Sequence, residues 1–143
     1  MNYDTKQLLQ MSHVELDEIF RKSPPGEMPD GRMKGTFIVA PGTWVTAGTA
    51  ELIWLVVWRG KVFYGNEVKN QISPFSFESV PARVYKAPSR FDGNECIVLD
   101  YSETSVIARW VRDEIREVAQ GLYLGKVWLA GVRMPDFILE REA

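Results

Sequence analysis

Thr104–Gln120, TSVIARWVRDEIREVAQ, decides the fold, because its two readings lead to different architectures. Val106, Ile107, Trp110, Val111, Ile115 and Val118 recur at helical intervals and Gly121 stands where a helix would stop, so periodicity alone favours one long amphipathic helix. The other reading is a short helix through about Trp110, a strand over Asp113 to Val118 and a turn at Gln120-Gly121. That strand would run directly into Leu122–Leu129 (LYLGKVWL) as a β-hairpin. As a strand, Arg112, Glu114 and Arg116 share one face, and Asp113 and Glu117 share the other with Ile115, so both faces carry charge.

Working outward, the flanking sequence is β-like. Ala82–Ala87 (ARVYKA), a turn through Pro88-Ser89 and Asp92-Gly93, and Glu95–Tyr101 (ECIVLDY) read as an antiparallel pair. Downstream, Gly131 and Pro135 punctuate the chain, and Asp136–Glu142 (DFILERE) alternates apolar and polar as a closing edge strand. Upstream, Lys61–Tyr64 and Glu67–Ile72 are extended around Gly65-Asn66, and Gly31–Pro41 (GRMKGTFIVAP) predicts a first strand. Thr46–Trp58 is an apolar run that fits a buried strand or a buried helix. Thr46 or Thr49 as a cap, Glu51 in the first turn and Gly60 as a stop favour the helix. Near the start, Ser12 and Glu15 form a capping box, and Val14, Leu16, Ile19 and Phe20 give the following helix an apolar face that Leu8 and Leu9 extend. The helix is expected to cover the core. Ser23–Asp30 (SPPGEMPD) is too rich in proline for regular structure. Regularly spaced strands of this length suit a closed barrel better than a parallel sheet with helical crossovers.

Composition narrows the function. The 143 residues carry enough apolar material, 45%, for a single domain over 1–143: a helical segment and Pro-rich loop to residue 30, then a barrel with inserted helices. A net charge of −2 supplies no pull toward nucleic acid or anionic membranes. Leu52–Trp58 is far shorter than the roughly 20 residues of a membrane span. Asp4 and Lys6 break the apolar stretch that an export signal needs, and one cysteine, Cys96, suits a reducing cytoplasm. With that single thiol and a single imidazole, His13, no metal centre and no Ser-His-Asp or Cys-His site is expected, and no cofactor is implied. The distinctive feature is the aromatic load of five Trp, five Tyr and seven Phe, side chains that dominate the area of a small core or pocket.

Leu99-Asp100-Tyr101-Ser102-x-Thr104-Ser105, Arg112–Val118 (RDEIREV) and Gly121–Lys126 (GLYLGK) resemble the C-terminal signature of a group of small bacterial proteins without an assigned activity. Asp30-Gly31-Arg32-Met33-x-Gly35 and Trp58-x-Gly60-Lys61-Val62-Phe63 extend that resemblance over most of the chain. More distantly, the layout is similar to GXWXG-type domains, with Met33 in the place of the motif's tryptophan. These domains are associated with lipocalin-like small barrels. The resemblance implies an α+β fold: an antiparallel lipocalin-like (calycin-like) β-barrel with an N-terminal cover helix and one or two further short helices. It also implies that RDEIREV is a barrel strand, the reading adopted against periodicity.

A barrel of about eight strands holds packed side chains or one small ligand. The leading expectation is therefore a cytoplasmic protein that binds a small apolar or amphipathic molecule. Trp44, Trp54, Trp58, Tyr85, Tyr101, Tyr123 and Trp128 are the candidate walls. Arg112 or Arg116 would anchor an anionic head group, with Asp100 as partner for an inward Arg, and Lys61 is a candidate desolvated amine or anion ligand. Packing, salt-bridge ladders and helix capping by Asp100, Ser102 and Thr104 are the bland alternatives for the same residues. Two other function classes stay open. One is a cofactor-free isomerase or cyclase, with Asp100 as an acid of raised pKa, or Tyr101 or Tyr123, moving a proton and Arg112 or Arg116 stabilising charge. The other is a homodimer formed through the edge strand or helices.

Overall fold

The computed structural model describes residues 3–38, 58–72, 77–106 and 108–142. Two helices, α1 (Thr5–Leu9) and α2 (His13–Lys22), precede eight strands: β1 (Gly31–Phe37), β2 (Trp58–Tyr64), β3 (Glu67–Ile72), β4 (Phe77–Pro88), β5 (Glu95–Asp100), β6 (Val111–Ala119), β7 (Leu122–Leu129) and β8 (Val132–Arg141). Each strand pairs antiparallel with the next, and β8 pairs with β1, which closes the barrel. The expected helix over Thr46–Trp58, with Trp44 and Trp54, lies outside the described residues except for Trp58, which opens β2.

The strand reading of RDEIREV holds. β6 pairs with β5 and β7, and barrel pairing supplies the backbone partners that a lone helix would find within itself. The short helix expected through about Trp110 is absent among the described residues. Ser102 N–H and Oγ donate to Asp100, Thr104 Oγ1 donates to the Pro81 carbonyl, and Ala108 N–H donates to Ser105 Oγ. The bonds of Asp100 and Ser105 within the loop, and that of Thr104 to β4, hold the segment as separate turns.

Asp136–Glu142 is not an edge. β8 begins at Val132, runs through Pro135 and pairs on both sides. The register shifts between Gly125 and Val127 of β7, so Pro135 falls in a bulge where no ladder donor is required. Closure leaves no free edge among the described strands, which removes the edge-strand route to a homodimer.

Alternation divides the barrel into two cores. Met33, Phe63, Val68, Val84, Ile97, Leu99, Ile115, Tyr123, Phe137 and Leu139 fill the interior. Outside, Leu16, Ile19 and Phe20 of α2 pack with Leu8 against Val118, Leu122, Leu124 and Ile138. The Ser12–Glu15 capping box starts α2 as expected, and Asp4–Gln7 makes a second one for α1. Val14 and Leu9, assigned to the apolar face, are exposed. Between α2 and β1, the Pro-rich loop closes the lower end of the barrel. The Pro25 carbonyl accepts from Glu117 N–H, and the Glu27 carbonyl accepts from Tyr123 Oη at 2.6 Å.

Candidate functional site

The upper half of the interior contains a charged cluster within an apolar barrel. Gly60 places it there. In an unbroken strand Trp58 and Lys61, three residues apart, would face opposite ways. The β2–β3 register shifts between Trp58 and Gly60, so both side chains point inward. Gly60 has φ of 145°, and a Cβ there would collide with the Met33 carbonyl, so only glycine fits this bulge.

Lys61, 3% exposed, directs its ammonium to Asn70 Oδ1 at 2.7 Å, Tyr101 Oη at 2.8 Å and Asp113 Oδ2 at 3.0 Å. Tyr101 Oη donates to Asp113 Oδ2 at 3.3 Å. Asn70 donates to the Val80 carbonyl at 2.9 Å and to Tyr101 Oη at 2.8 Å, and its Oδ1 also accepts Trp58 Nε1–H at 3.0 Å. The rings of Trp58, Tyr101 and Phe137 lie 5.4–5.5 Å from the Lys61 ammonium. Burial alone would lower the Lys61 pKa, but Tyr101 and Asp113 outweigh it and raise it, so the amine stays charged. Burial raises the Tyr101 phenol.

Above the cluster, Phe37 lies tilted against Trp58 at 4.6 Å between ring centres, and Phe137 meets Trp58 edge-on at 5.8 Å. Gly35 and Gly125 make room for these rings, since a Cβ on either would sit inside Trp58 or Phe137 respectively.

The nine candidate residues separate into two groups. Trp58, Lys61 and Tyr101 meet in the cluster. Tyr123 faces the same interior but lower down, where burial and the nearby Glu117 raise its phenol pKa. Tyr85, Asp100, Arg112, Arg116 and Trp128 face outward, because Val84, Leu99, Val111, Ile115 and Val127 beside them take the inward positions.

Arg116 is not a ligand anchor. Its guanidinium spends all five N–H groups on Asp92, at 2.7 Å to each carboxylate oxygen, and on the carbonyls of Phe20, Glu95 and Asn94. It fastens α2 and the β4–β5 loop to the barrel wall. Arg112 pairs with the buried Glu114 at 2.9 Å and donates to the Pro88 carbonyl. Asp100 pairs with neither arginine. It accepts Tyr85 Oη at 2.7 Å and both donors of Ser102. Partial burial opposes its ionisation, yet the bonds from Ser102 and Tyr85 prevail and hold its pKa below the usual range, the reverse of the raised pKa an acid catalyst would need. The proton-transfer set of Asp100 with Arg112 or Arg116 therefore does not assemble.

Two cluster members, Asn70 and Asp113, were not among the candidates. Both were marked by alternation, Asn70 through Val68 two residues before it and Asp113 through Ile115 two residues after it. Among the described residues no group of three or more His, Cys, Asp or Glu side chains could hold a metal ion.

No family model matches the chain, and no curated protein matches it. The crystal structure of a protein from Thermomonospora curvata is similar, with a TM-score of 0.65 at 18% sequence identity over 93% of this chain and 89% of that one. At that identity the likeness shows the fold alone: a closed antiparallel barrel of eight strands with a few short helices.

Proposed function

We propose that this is a lipocalin-like barrel that holds one small amphipathic molecule at its upper end. The apolar body of the ligand lies against Phe37, Trp58 and Phe137, and its polar end meets the Lys61–Asp113–Tyr101–Asn70 cluster. The observation that carries this reading is the buried Lys61–Asp113 pair. A buried ion pair is commonly no more stabilising than apolar residues of the same volume, so the fold alone does not call for one. The lower interior is filled by side chains, which limits the ligand to the size of a single ring or a short chain.

Titration with short-chain fatty acids and single-ring aromatic metabolites, followed by tryptophan fluorescence and thermal stability, tests the proposal. A saturable change that disappears in Trp58→Phe is expected, with a rise in Tm that grows with ligand concentration. If no compound shifts either signal, the barrel is a packed scaffold and the proposal fails.

A further inference from the structure

We infer that the ligand is recognised through a neutral hydrogen-bond donor, a hydroxyl or N–H group, which Asp113 Oδ1 accepts. This rests on the ligand-binding reading above and assigns the chemistry of the polar end.

The argument is a count of donors and acceptors. An ammonium has three N–H groups, and Lys61 gives them to Asn70, Tyr101 and Asp113. Asn70 uses both amide N–H groups, and its oxygen takes two bonds. Tyr101 Oη accepts from Lys61 and Asn70 and donates to Asp113. Trp58 gives its one N–H to Asn70. Every donor of the cluster is engaged.

One acceptor is left. Asp113 receives Lys61 and Tyr101 on Oδ2, and among the described residues nothing donates to Oδ1. The one sealed side-chain nitrogen or oxygen without a partner among those residues is Gln71 Nε2. Asp113 Oδ1 is therefore not among the sealed atoms, although the residue is only 4% exposed.

Charge narrows the class further. A carboxylate or phosphate would meet the Asp113 oxygen with no free donor to receive it. An ammonium would add a second cation beside Lys61, whose charge Asp113 already balances. A neutral donor encounters neither penalty, and its bond to a carboxylate is of the stronger, charge-assisted kind.

The test uses three compounds with one apolar body: para-pentylphenol, para-pentylanisole and para-pentylbenzoate, titrated calorimetrically into the whole protein. The phenol is expected to bind about tenfold or more tightly than the other two, the scale of one hydrogen bond to a charged group. In Asp113→Asn the amide oxygen is held by Lys61 and Tyr101, which turns the NH2 into the place of Oδ1. That variant should lose the preference for the phenol and bind the anisole at least as well. The comparison on the unaltered protein decides the matter even if the variant does not fold. Equal binding of all three, or tighter binding of the anisole or benzoate, overturns the donor assignment and leaves the ligand-binding reading intact. Binding of none overturns that reading and the assignment with it.

Discussion

At Lys61 the chain places an ammonium where solvent would stabilise it far better, and three local oxygens substitute for that solvent. Lys61→Met would leave Asp113 as an uncompensated buried charge and is expected to cost about 3–5 kcal/mol in urea unfolding. The double change Lys61→Met with Asp113→Leu removes both charges. Asn70 then keeps Trp58 and Val80 as partners, and Tyr101 keeps the Asn70 amide, so the double variant should recover most of that loss. A single Lys61→Met change costing under about 1 kcal/mol would mean that the pair is solvated. Gly60 is the residue on which this arrangement turns, since its bulge is what aims Lys61 inward.

At the scale of elements, α2 is tied to the barrel by a second charged group on the outer wall. Lys126, fully buried between the rings of Phe20 and Phe91, reaches Asp17 of α2 at 2.7 Å and Asp136 of β8 at 3.3 Å, and Arg133 joins the same two carboxylates. Burial opposes ionisation of Asp17, but the bonds from Arg133 and Lys126 prevail and lower its pKa from 3.8 to about 2. A depressed carboxyl pKa stabilises the fold above the free value, and that contribution fades as the pH falls through the folded value. Asp17→Asn should therefore be less stable than the parent at neutral pH by about 1–2 kcal/mol. The gap should close between pH 3.8 and about 2. Urea midpoints measured across that range check it, and a gap independent of pH would refute the role of the charge.

The elements also show where sequence reading succeeds and where it stops. Hairpins announced by Gly65-Asn66, Asp92-Gly93 and Gln120-Gly121 formed, because turn chemistry is local. The segment 104–120 was legible only with the resemblance added, since six apolar residues at helical spacing also fit a strand plus turns. The bulges at Gly60, Val80-Pro81 and Pro135 were not legible, because a bulge is a relation between two strands and neither strand states it alone. The same limit misdirected the site. Alternation correctly separated Arg112, Glu114 and Arg116 from Asp113 and Ile115, yet it did not say which face was the interior.

For the molecule as a whole, closure makes opening of the barrel a collective event, and Cys96 is placed to report it. The thiol is fully buried on β5 beside the Ala87 carbonyl, and burial, reinforced by Glu114, pushes its pKa up to about 12. Since the thiolate is the reactive form, native Cys96 should resist aromatic disulfide reagents at mildly alkaline pH. Its labelling should accelerate with urea in step with the loss of tryptophan signal. Fast labelling without denaturant would show instead that the wall at β4–β5 opens locally.

The lower closure of the barrel also sets an order of assembly. Tyr123 reaches the Glu27 carbonyl across 96 positions, Arg116 reaches Phe20 across 96, and Lys126 reaches Asp17 across 109. During synthesis the helices emerge before the strands, and most of the surface they dock on, Ile38 and Phe91 apart, belongs to β6, β7 or β8. Helix α2 must therefore wait, with Leu16, Ile19 and Phe20 largely uncovered, until β6 to β8 have left the ribosome. Contacts this distant along the chain place the protein among slow folders, in the millisecond-to-second class. The interval before docking is the stage at which a nascent chain would most need a chaperone.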